Sequence, residues 1–231
     1  MTDDPRSFAL VPCAGLGQRA GTAGPKQYEL LCGKAVVAHT LSALAAVPQL
    51  HAVLVVLAPD DDRFESAAPA FIGERAWVAR CGGATRAATV TAGLAALRDR
   101  GARDGDWVLV HDAARCLLRP AWVQRLIEAC ADDAVGGLLA LPIADTLKDE
   151  RDGRVSATVP RAGKWAAQTP QMFRLGLLQR ALAAAGAGIT DESSAIEALG
   201  LAPKLVPGEI ENLKLTWPAD FALAERLLET R

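Results

Sequence analysis

Unbroken apolar runs alternate with helical patterns along most of the chain. The runs at 8–11, 52–57, 76–79, 107–110 and 137–141 contain no polar side chain, as expected of strands buried on both faces. Helical patterns lie between them, at 36–46, from Pro59-Asp60-Asp61-Asp62 onward, from Arg86 to Arg100, and at 121–131. Further on, 175–185 is Ala-rich and helical, and Thr190-Asp191-Glu192 caps a helix that runs to residue 199. Residues 204–206 and 212–215 read as short strands, and Pro218 opens a last helix, to 228. This order predicts an α/β fold, a mainly parallel sheet with helices on both faces.

Between Pro142 and Gln171 the alternation stops. Extended runs at 143–148 and 154–159 flank Asp149-Glu150-Arg151-Asp152-Gly153, which reads as a hairpin. An isolated hairpin is marginal in water, and this one has little apolar area of its own. The arm, about 142–171, is therefore expected to pack on another subunit. Gln168-Thr169-Pro170-Gln171 brings the chain back. With no internal repeat or low-complexity linker, 1–231 reads as a single domain carrying one β-arm.

Composition narrows the function classes. Hydrophobic residues make up 51% of the 231, enough to cover both faces of a sheet. The net charge of −2, without a lysine block, argues against a nucleic-acid surface. No apolar run reaches the length of a membrane span, and the acidic start Met1-Thr2-Asp3-Asp4-Pro5 is unlike a signal peptide. The five cysteines are widely spaced and form no C-x-x-C pair, which suits reduced thiols in a cytoplasm. His39, His51 and His111 have no metal-ligand spacing.

The candidate chemistry sits first on Val11-Pro12-Cys13-Ala14-Gly15-Leu16-Gly17-Gln18-Arg19-Ala20-Gly21, closed by Gly24-Pro25-Lys26-Gln27-Tyr28. Gly15 and Gly17 let backbone N–H groups approach an anion closely, and Arg19 and Lys26 add charge for a polyphosphate. Gly15-x-Gly17-x-x-Ala20 also fits a dinucleotide fingerprint, but Gly21, Gly24 and Pro25 fall where its helix should open. A Walker loop is missing its G-K-[S/T]. A long nucleotide triphosphate loop fits better, with a plain Gly-rich turn as the bland alternative. Two more strand ends stand out: Cys81-Gly82-Gly83-Ala84-Thr85-Arg86 with Thr89 one turn on, and His111-Asp112-Ala113-Ala114-Arg115. In open α/β sheets ligands bind beyond the carboxyl ends of strands. Asp112 is placed to hold a metal there and Arg115 a phosphate, against the dull alternative of a solvated loop mouth.

Taken in order, these motifs resemble the 2-C-methyl-D-erythritol 4-phosphate cytidylyltransferase family over nearly the whole chain. They are Pro12-x-Ala14-Gly15-x-Gly17-x-Arg19, Pro25-Lys26-Gln27-Tyr28, Gly82-Gly83-x-x-Arg86, His111-Asp112-Ala113-Ala114-Arg115, Asp145-Thr146-x-Lys148, Gln168-Thr169-Pro170-Gln171, Thr190-Asp191-Glu192 and Asn212-x-Lys214-x-Thr216. The resemblance implies a Rossmann-like nucleotidyltransferase fold, CTP with Mg²⁺ or another divalent cation, a polyol phosphate substrate, and a homodimer joined by β-arms. It implies that Arg19, Lys26 and Lys214 serve the triphosphate and the transition state. Ala14, Gly15, Gly17, Gly82, Thr89 and Asp112 would bind CTP, and Asp112 would also help place the metal. Arg115, Thr146, Arg161 and Thr169 would hold the methylerythritol phosphate, the last three reaching the other subunit's site. Three positions depart from the family pattern: Cys116 replaces a usual proline, Gln18 a frequent arginine, and Ala88 a polar residue. Two other functions share these motifs, a cytidylyltransferase for another polyol phosphate such as ribitol 5-phosphate, and a nucleotide-binding module without activity.

Overall fold

The computed structural model describes residues 4–15, 24–184 and 189–230. Strand β1 (Ser7–Pro12) precedes a 3-10 turn at Lys26–Tyr28 and a small hairpin, β2 (Leu30–Leu31) with β3 (Lys34–Ala35). Then come α1 (Val36–Ala45), β4 (Leu50–Val56), α2 (Phe64–Ala67), β5 (Ala76–Ala79), α3 (Arg86–Asp99), β6 (Trp107–Val110) and α4 (Pro120–Cys130). The second half runs β7 (Gly136–Pro142), β8 (Leu147–Arg151), β9 (Arg154–Val159), β10 (Trp165–Arg174), α5 (Leu175–Ala184), α6 (Glu192–Ala198), β11 (Lys204–Pro207) and α7 (Pro218–Glu229).

Seven strands form one sheet in the order β11-β7-β10-β6-β1-β4-β5. Every neighbouring pair is parallel except those made by β10, which runs against both β6 and β7. Alternate residues of β1 point to opposite faces. Ala9 and Val11 pack with Leu41, Leu44, Val123 and Leu126 of α1 and α4. Phe8 and Leu10 pack with Val90, Leu94, Leu178 and Ile196 of α3, α5 and α6. Burying a Val, Leu or Phe side chain stabilises by about 1.5–3 kcal/mol, so a one-residue slip that turned these sets over would be costly. This is the predicted α/β sheet with helices on both faces.

Chain reversal in this sheet opens a crevice. From β1 the chain moves outward to β4 and β5, then returns across β1 to β6. The crevice lies beyond the carboxyl ends of β1 and β6, where an α/β sheet takes its ligand.

Three expectations are corrected. Gln168-Thr169-Pro170-Gln171, read only as bringing the chain back from the arm, lies within a ten-residue strand of the sheet, Trp165–Arg174. This polar run disguised the strand, because a proline in a central strand lacks a ladder donor. The strand accommodates Pro170 by losing register with β7 between Ala167 and Gln171. The segment 212–215 is not a strand. Its apolar positions are met by packing, since Leu215 is buried with Leu31, Val36 and Ala224. The helix expected after Pro59 is a single turn, with Asp61 accepting from the N–H groups of Arg63 and Phe64.

The arm is a separate two-stranded sheet of β8 and β9. Asp152 and Gly153, both at positive φ (53° and 73°), make the tight turn that an Asp-Gly pair favours. Nearly all its residues are exposed, Val155 at 65%.

Candidate active site

Two cavities open at the carboxyl edge. The larger, about 840 Å³, is lined by Ala14 and Gly15 after β1, Lys26 and Gln27, the stretch from Gly83 to Arg86, and Lys214. The smaller, about 200 Å³, is lined by Arg115, Gln168, Thr169 and Asp191 among others. Arg86, Asp112 and Lys214 belong to both walls, so the two cavities meet at these three side chains.

The first wall is built by short-range bonds. Gln27, buried, donates from Nε2 to the carbonyls of Cys13 and Gly15 at 3.2 and 3.0 Å, which pins the chain after β1 to the segment that carries Lys26. Lys26 Nζ donates to the Leu215 carbonyl at 2.6 Å, joining that segment to the one carrying Lys214. Thr85 caps α3 by accepting from the Ala88 N–H. The helix N-terminus thus faces the cavity, with backbone donors and a positive dipole end suited to an anion.

Thr89 lines the cavity and is 3% exposed. Its hydroxyl accepts from the Gly83 N–H at 3.1 Å and donates to the Thr85 carbonyl at 3.0 Å. It therefore shapes the loop 83–85, whose backbone faces the cavity. Gly82 is not in the lining. It sits beneath the wall, its N–H bonded to the Leu57 carbonyl, and a Cβ there would press on Ala14 Cβ and stand 2.7 Å from the Leu57 oxygen. Glycine is required because two loops touch at that point.

Asp112 is the centre of the electrostatics. Its Oδ1 accepts from Arg86 Nε at 2.9 Å, and its Oδ2 faces Lys214 Nζ at 2.9 Å and Arg115 Nε at 3.5 Å. Burial alone would raise its pKa. Arg86, Lys214 and Arg115 together overturn that and hold the carboxyl far below the usual carboxylate range. Arg86 also makes a two-pronged pair with Glu192, Nη1 to Oε1 at 2.6 Å and Nη2 to Oε2 at 3.0 Å. The sequence offered Arg86 only as one letter of a motif. Its role shows only where α3, β6 and α6 converge.

Thr169 is 3% exposed and stands with Asp112 of its own chain. Its hydroxyl accepts from the Asp112 N–H at 3.0 Å and lies 3.1 Å from His111 Nδ1. The other imidazole nitrogen, Nε2, faces the Arg115 carbonyl at 3.2 Å, an acceptor only, so Nε2 carries the proton and Nδ1 accepts from Thr169. Burial pushes the His111 pKa down to about 4, so the ring is neutral at pH 7. The expectation that Thr169 reaches a second subunit is corrected, because it completes its own site. Antiparallel β10 is the cause, since it sets Gln171 opposite Val110 and so brings Thr169 beside the residues that follow β6.

Arg115 lines the small cavity, held by the carbonyls of Asn212 at 2.6 Å and Ala167 at 3.4 Å. Thr146 is exposed on the arm, and Arg161, also exposed, donates to the Ala144 carbonyl. Neither lines either cavity. Arg19 and Gly17, with the neighbouring Gln18, lie outside the described residues. Cys116, in place of the family's proline, is buried beside Leu117 and Leu215. Among the described residues no group of three or more His, Cys, Asp or Glu side chains could hold a metal, and no helix is long and apolar enough to cross a membrane.

Comparison with known proteins agrees with this geometry. The family model described as "IspD: 2-C-methyl-D-erythritol 4-phosphate cytidylyltransferase" matches residues 7–230. A 2-C-methyl-D-erythritol 4-phosphate cytidylyltransferase of Chromobacterium violaceum is 55% identical over 232 residues, covering 97% of this chain and 98% of that protein. A bifunctional IspD/IspF enzyme of Albidiferax ferrireducens is 61% identical over 227 residues, and there the match covers 98% of this chain and 54% of the longer protein. Among solved structures, a 4-diphosphocytidyl-2C-methyl-D-erythritol synthase superposes with a TM-score of 0.86 at 44% identity, covering 97% of this chain and 98% of that one. The Thermus thermophilus cytidylyltransferase gives 0.78 at 32% identity, covering 97% and 99%. On sequence and fold together, the chain belongs to the 2-C-methyl-D-erythritol 4-phosphate cytidylyltransferase family.

Proposed function

We propose that the protein joins CTP and 2-C-methyl-D-erythritol 4-phosphate, giving 4-diphosphocytidyl-2-C-methyl-D-erythritol and pyrophosphate. The observation that carries this reading is the meeting of a large and a small cavity at Arg86, Asp112 and Lys214. CTP occupies the large cavity, its phosphates toward Lys26 and the N-terminus of α3. The polyol phosphate takes the small one, beside Arg115. A phosphate oxygen of the acceptor attacks the α-phosphorus, and the bond from that phosphorus to the bridging oxygen breaks as pyrophosphate leaves.

No general base is required. A phosphate monoester has its second pKa near 6 and is largely a dianion at neutral pH. His111, the histidine nearest the site, is neutral with both nitrogens engaged. The task is to bring two anions together and to neutralise charge as it shifts toward the leaving group. Lys26 and Lys214, which both line the large cavity, are assigned this task, and Arg19 is assigned the same role from its motif. One such preorganised group is worth on the order of 3 kcal/mol in the transition state.

The residues also suit a divalent cation. The donor set is one buried carboxylate, Asp112, on the wall shared by the cavities. Mg²⁺ is commonly held by one or two carboxylates together with substrate phosphates and water, so Asp112 is the side chain that would hold it, through an oxygen now paired with Arg86 or with Lys214. When bound, the ion would neutralise phosphate oxygens. We further read the arm as the contact to a second copy, with Thr146 and Arg161 carried into that copy's site.

The test is pyrophosphate release with a panel of nucleotides and polyol phosphates. Release with CTP and methylerythritol phosphate, and little with ATP or ribitol 5-phosphate, is expected. Comparable kcat/KM for CTP and ATP, or a preference for another polyol phosphate, overturns the assignment.

A further inference from the structure

Glu192 is a buried carboxylate outside the linings of both cavities. It stands at the start of α6, is 1% exposed, and commits both oxygens to the two Nη groups of Arg86. The helix does not need it as a cap. Asp191 already accepts from the Ser194 N–H, and Ser194 returns a bond to the Asp191 N–H. A buried ion pair is weak evidence for stability, because well-packed apolar residues often serve as well. The question is what Arg86 gains by being gripped.

Gripped end-on by Glu192, the guanidinium presents Nε to Asp112 Oδ1. Lys214 Nζ meets the opposite oxygen of the same carboxylate. The charges therefore form a chain, Glu192 to Arg86 to Asp112 to Lys214, that runs from the α6 terminus to the boundary of the two cavities. Lys214 lies in a segment without regular structure. Two of its fixed points are the Leu215 N–H on the Ala114 carbonyl and Asn212 Nδ2 on the Thr169 carbonyl. The side chain itself is set by Asp112. Arg86 holds Oδ1 while Oδ2 faces Lys214, with Arg115 Nε 3.5 Å from that same oxygen.

We propose that Glu192 is a positioning residue of the transfer reaction: through Arg86 it fixes the rotation of the Asp112 carboxylate and, with it, the place of the Lys214 ammonium. The inference rests on the cytidylyltransferase reading above. Glu192 lines neither cavity. Without it Arg86 is free to turn both carboxylate-binding edges toward Asp112, and Lys214 loses its aligned partner. The effect is expected in the chemical step, since the charges it aligns stand where the two cavities meet.

The experiment is a double-mutant cycle on the full chain, Glu192→Gln, Arg86→Ala and the pair together, with Glu192→Asp as the conservative variant. Readouts are kcat and KM for each substrate and the thermal midpoint. In Glu192→Gln, kcat is expected to fall ten- to a hundredfold, with both KM values within about threefold of wild type, and Glu192→Asp to recover part of the loss. Arg86→Ala strands a buried carboxylate and should be less stable than wild type. Adding Glu192→Gln to it should restore the midpoint and leave kcat where Arg86→Ala put it. A structural role alone would instead recover activity along with stability. An unchanged kcat in Glu192→Gln, or kcat losses that multiply in the double variant, overturns the proposal. Wild-type turnover is measured first. If wild type releases no pyrophosphate the functional reading has failed, and if it does while Glu192→Gln matches it, only this inference has.

Discussion

Replacing Lys26 by alanine should separate catalysis from stability. The side chain is half-buried, and its ammonium donates to the Leu215 carbonyl on the rim of the large cavity. The net worth of such a bond to folding is about 1 kcal/mol, more than a neutral pair but offset by partial solvation. The Pro25-Lys26-Gln27 segment is also held by Gln27, whose two bonds to the carbonyls after β1 survive the change. Folding should therefore lose about 1 kcal/mol, a few degrees in midpoint for a domain of this size. On the proposed function, the reaction loses a cation on the wall of the cavity assigned to the triphosphate. A group of this kind is worth on the order of 3 kcal/mol in the transition state, which is about a hundredfold in rate.

Pyrophosphate release at saturating CTP and methylerythritol phosphate reads the rate, and thermal unfolding reads the fold. A hundredfold or larger drop in kcat beside a small shift in midpoint is expected. If kcat stayed within threefold of wild type, Lys26 would be a strut between two loops and not part of the chemistry. If activity and midpoint fell together, the loss would belong to folding. Lys26→Arg should recover little, because a planar fork does not replace a point charge at the same depth.

Two further outcomes follow from single residues. Gly82→Ala must push Ala14 or the Leu57 carbonyl aside, at a cost of about 1–3 kcal/mol, and should raise the KM for CTP more than that for the polyol phosphate; an unchanged KM for CTP would show that the contact beneath the wall does not shape the nucleotide cavity. Asp106 is fully buried, and although burial works against its charge, bonds from the Arg103 and Arg6 backbone N–H groups and guanidinium groups take its pKa down from 3.8 to about 2. A folded pKa below the unfolded one stabilises above pH 3.8, here by about 2 kcal/mol, and the gain disappears as pH falls through 2. About half of it should be gone at pH 3, so the stability gap between wild type and Asp106→Asn in urea should narrow from pH 6 to pH 3; a constant gap refutes the assignment.

Much of this fold is legible because its strands are buried on both faces and its helices are amphipathic. Five of the strands are runs of four or more apolar residues, and few other structures hide such runs. Strand β10 was illegible for the opposite reason. Its middle is polar and carries Pro170, and only the tertiary setting, with β6 and β7 already in place, supplies the partners that make Gln168 to Gln171 part of a sheet. The segment 212–215 failed conversely, since its alternation is satisfied by a side pocket of Leu31, Val36 and Ala224. At the site, Lys26 was announced by its Gly-rich loop and Asp112 by its place after an apolar strand, while Lys214 came only with the family resemblance. Glu192 looked like a cap because its neighbours cap, and its burial depends on where α6 settles against α3.

The reversed strand explains why acceptor site and arm occur together. In a wholly parallel sheet each chain returns to the carboxyl edge only by leaving a strand there. Antiparallel β10 enters at that edge, so the chain before it, 143–164, must project from the rim of the active site. The arm so formed pairs only with itself as β8 and β9 and buries almost nothing. A hairpin of that size needs another surface to be stable, and a two-fold pair of chains is the commonest way to supply one. In such a pair Arg161, at the arm's base, is expected to serve the phosphate of the opposite site, a task suited to a guanidinium fork. Mixed dimers decide the matter. With Arg161→Ala in one chain and Lys26→Ala in the other, shared sites leave one site carrying both lesions and one carrying neither, so activity should recover toward half of wild type. If Arg161 serves its own chain, each site keeps one lesion and nothing recovers. A chain that sediments as a monomer at assay concentration refutes the arrangement before any rate is measured.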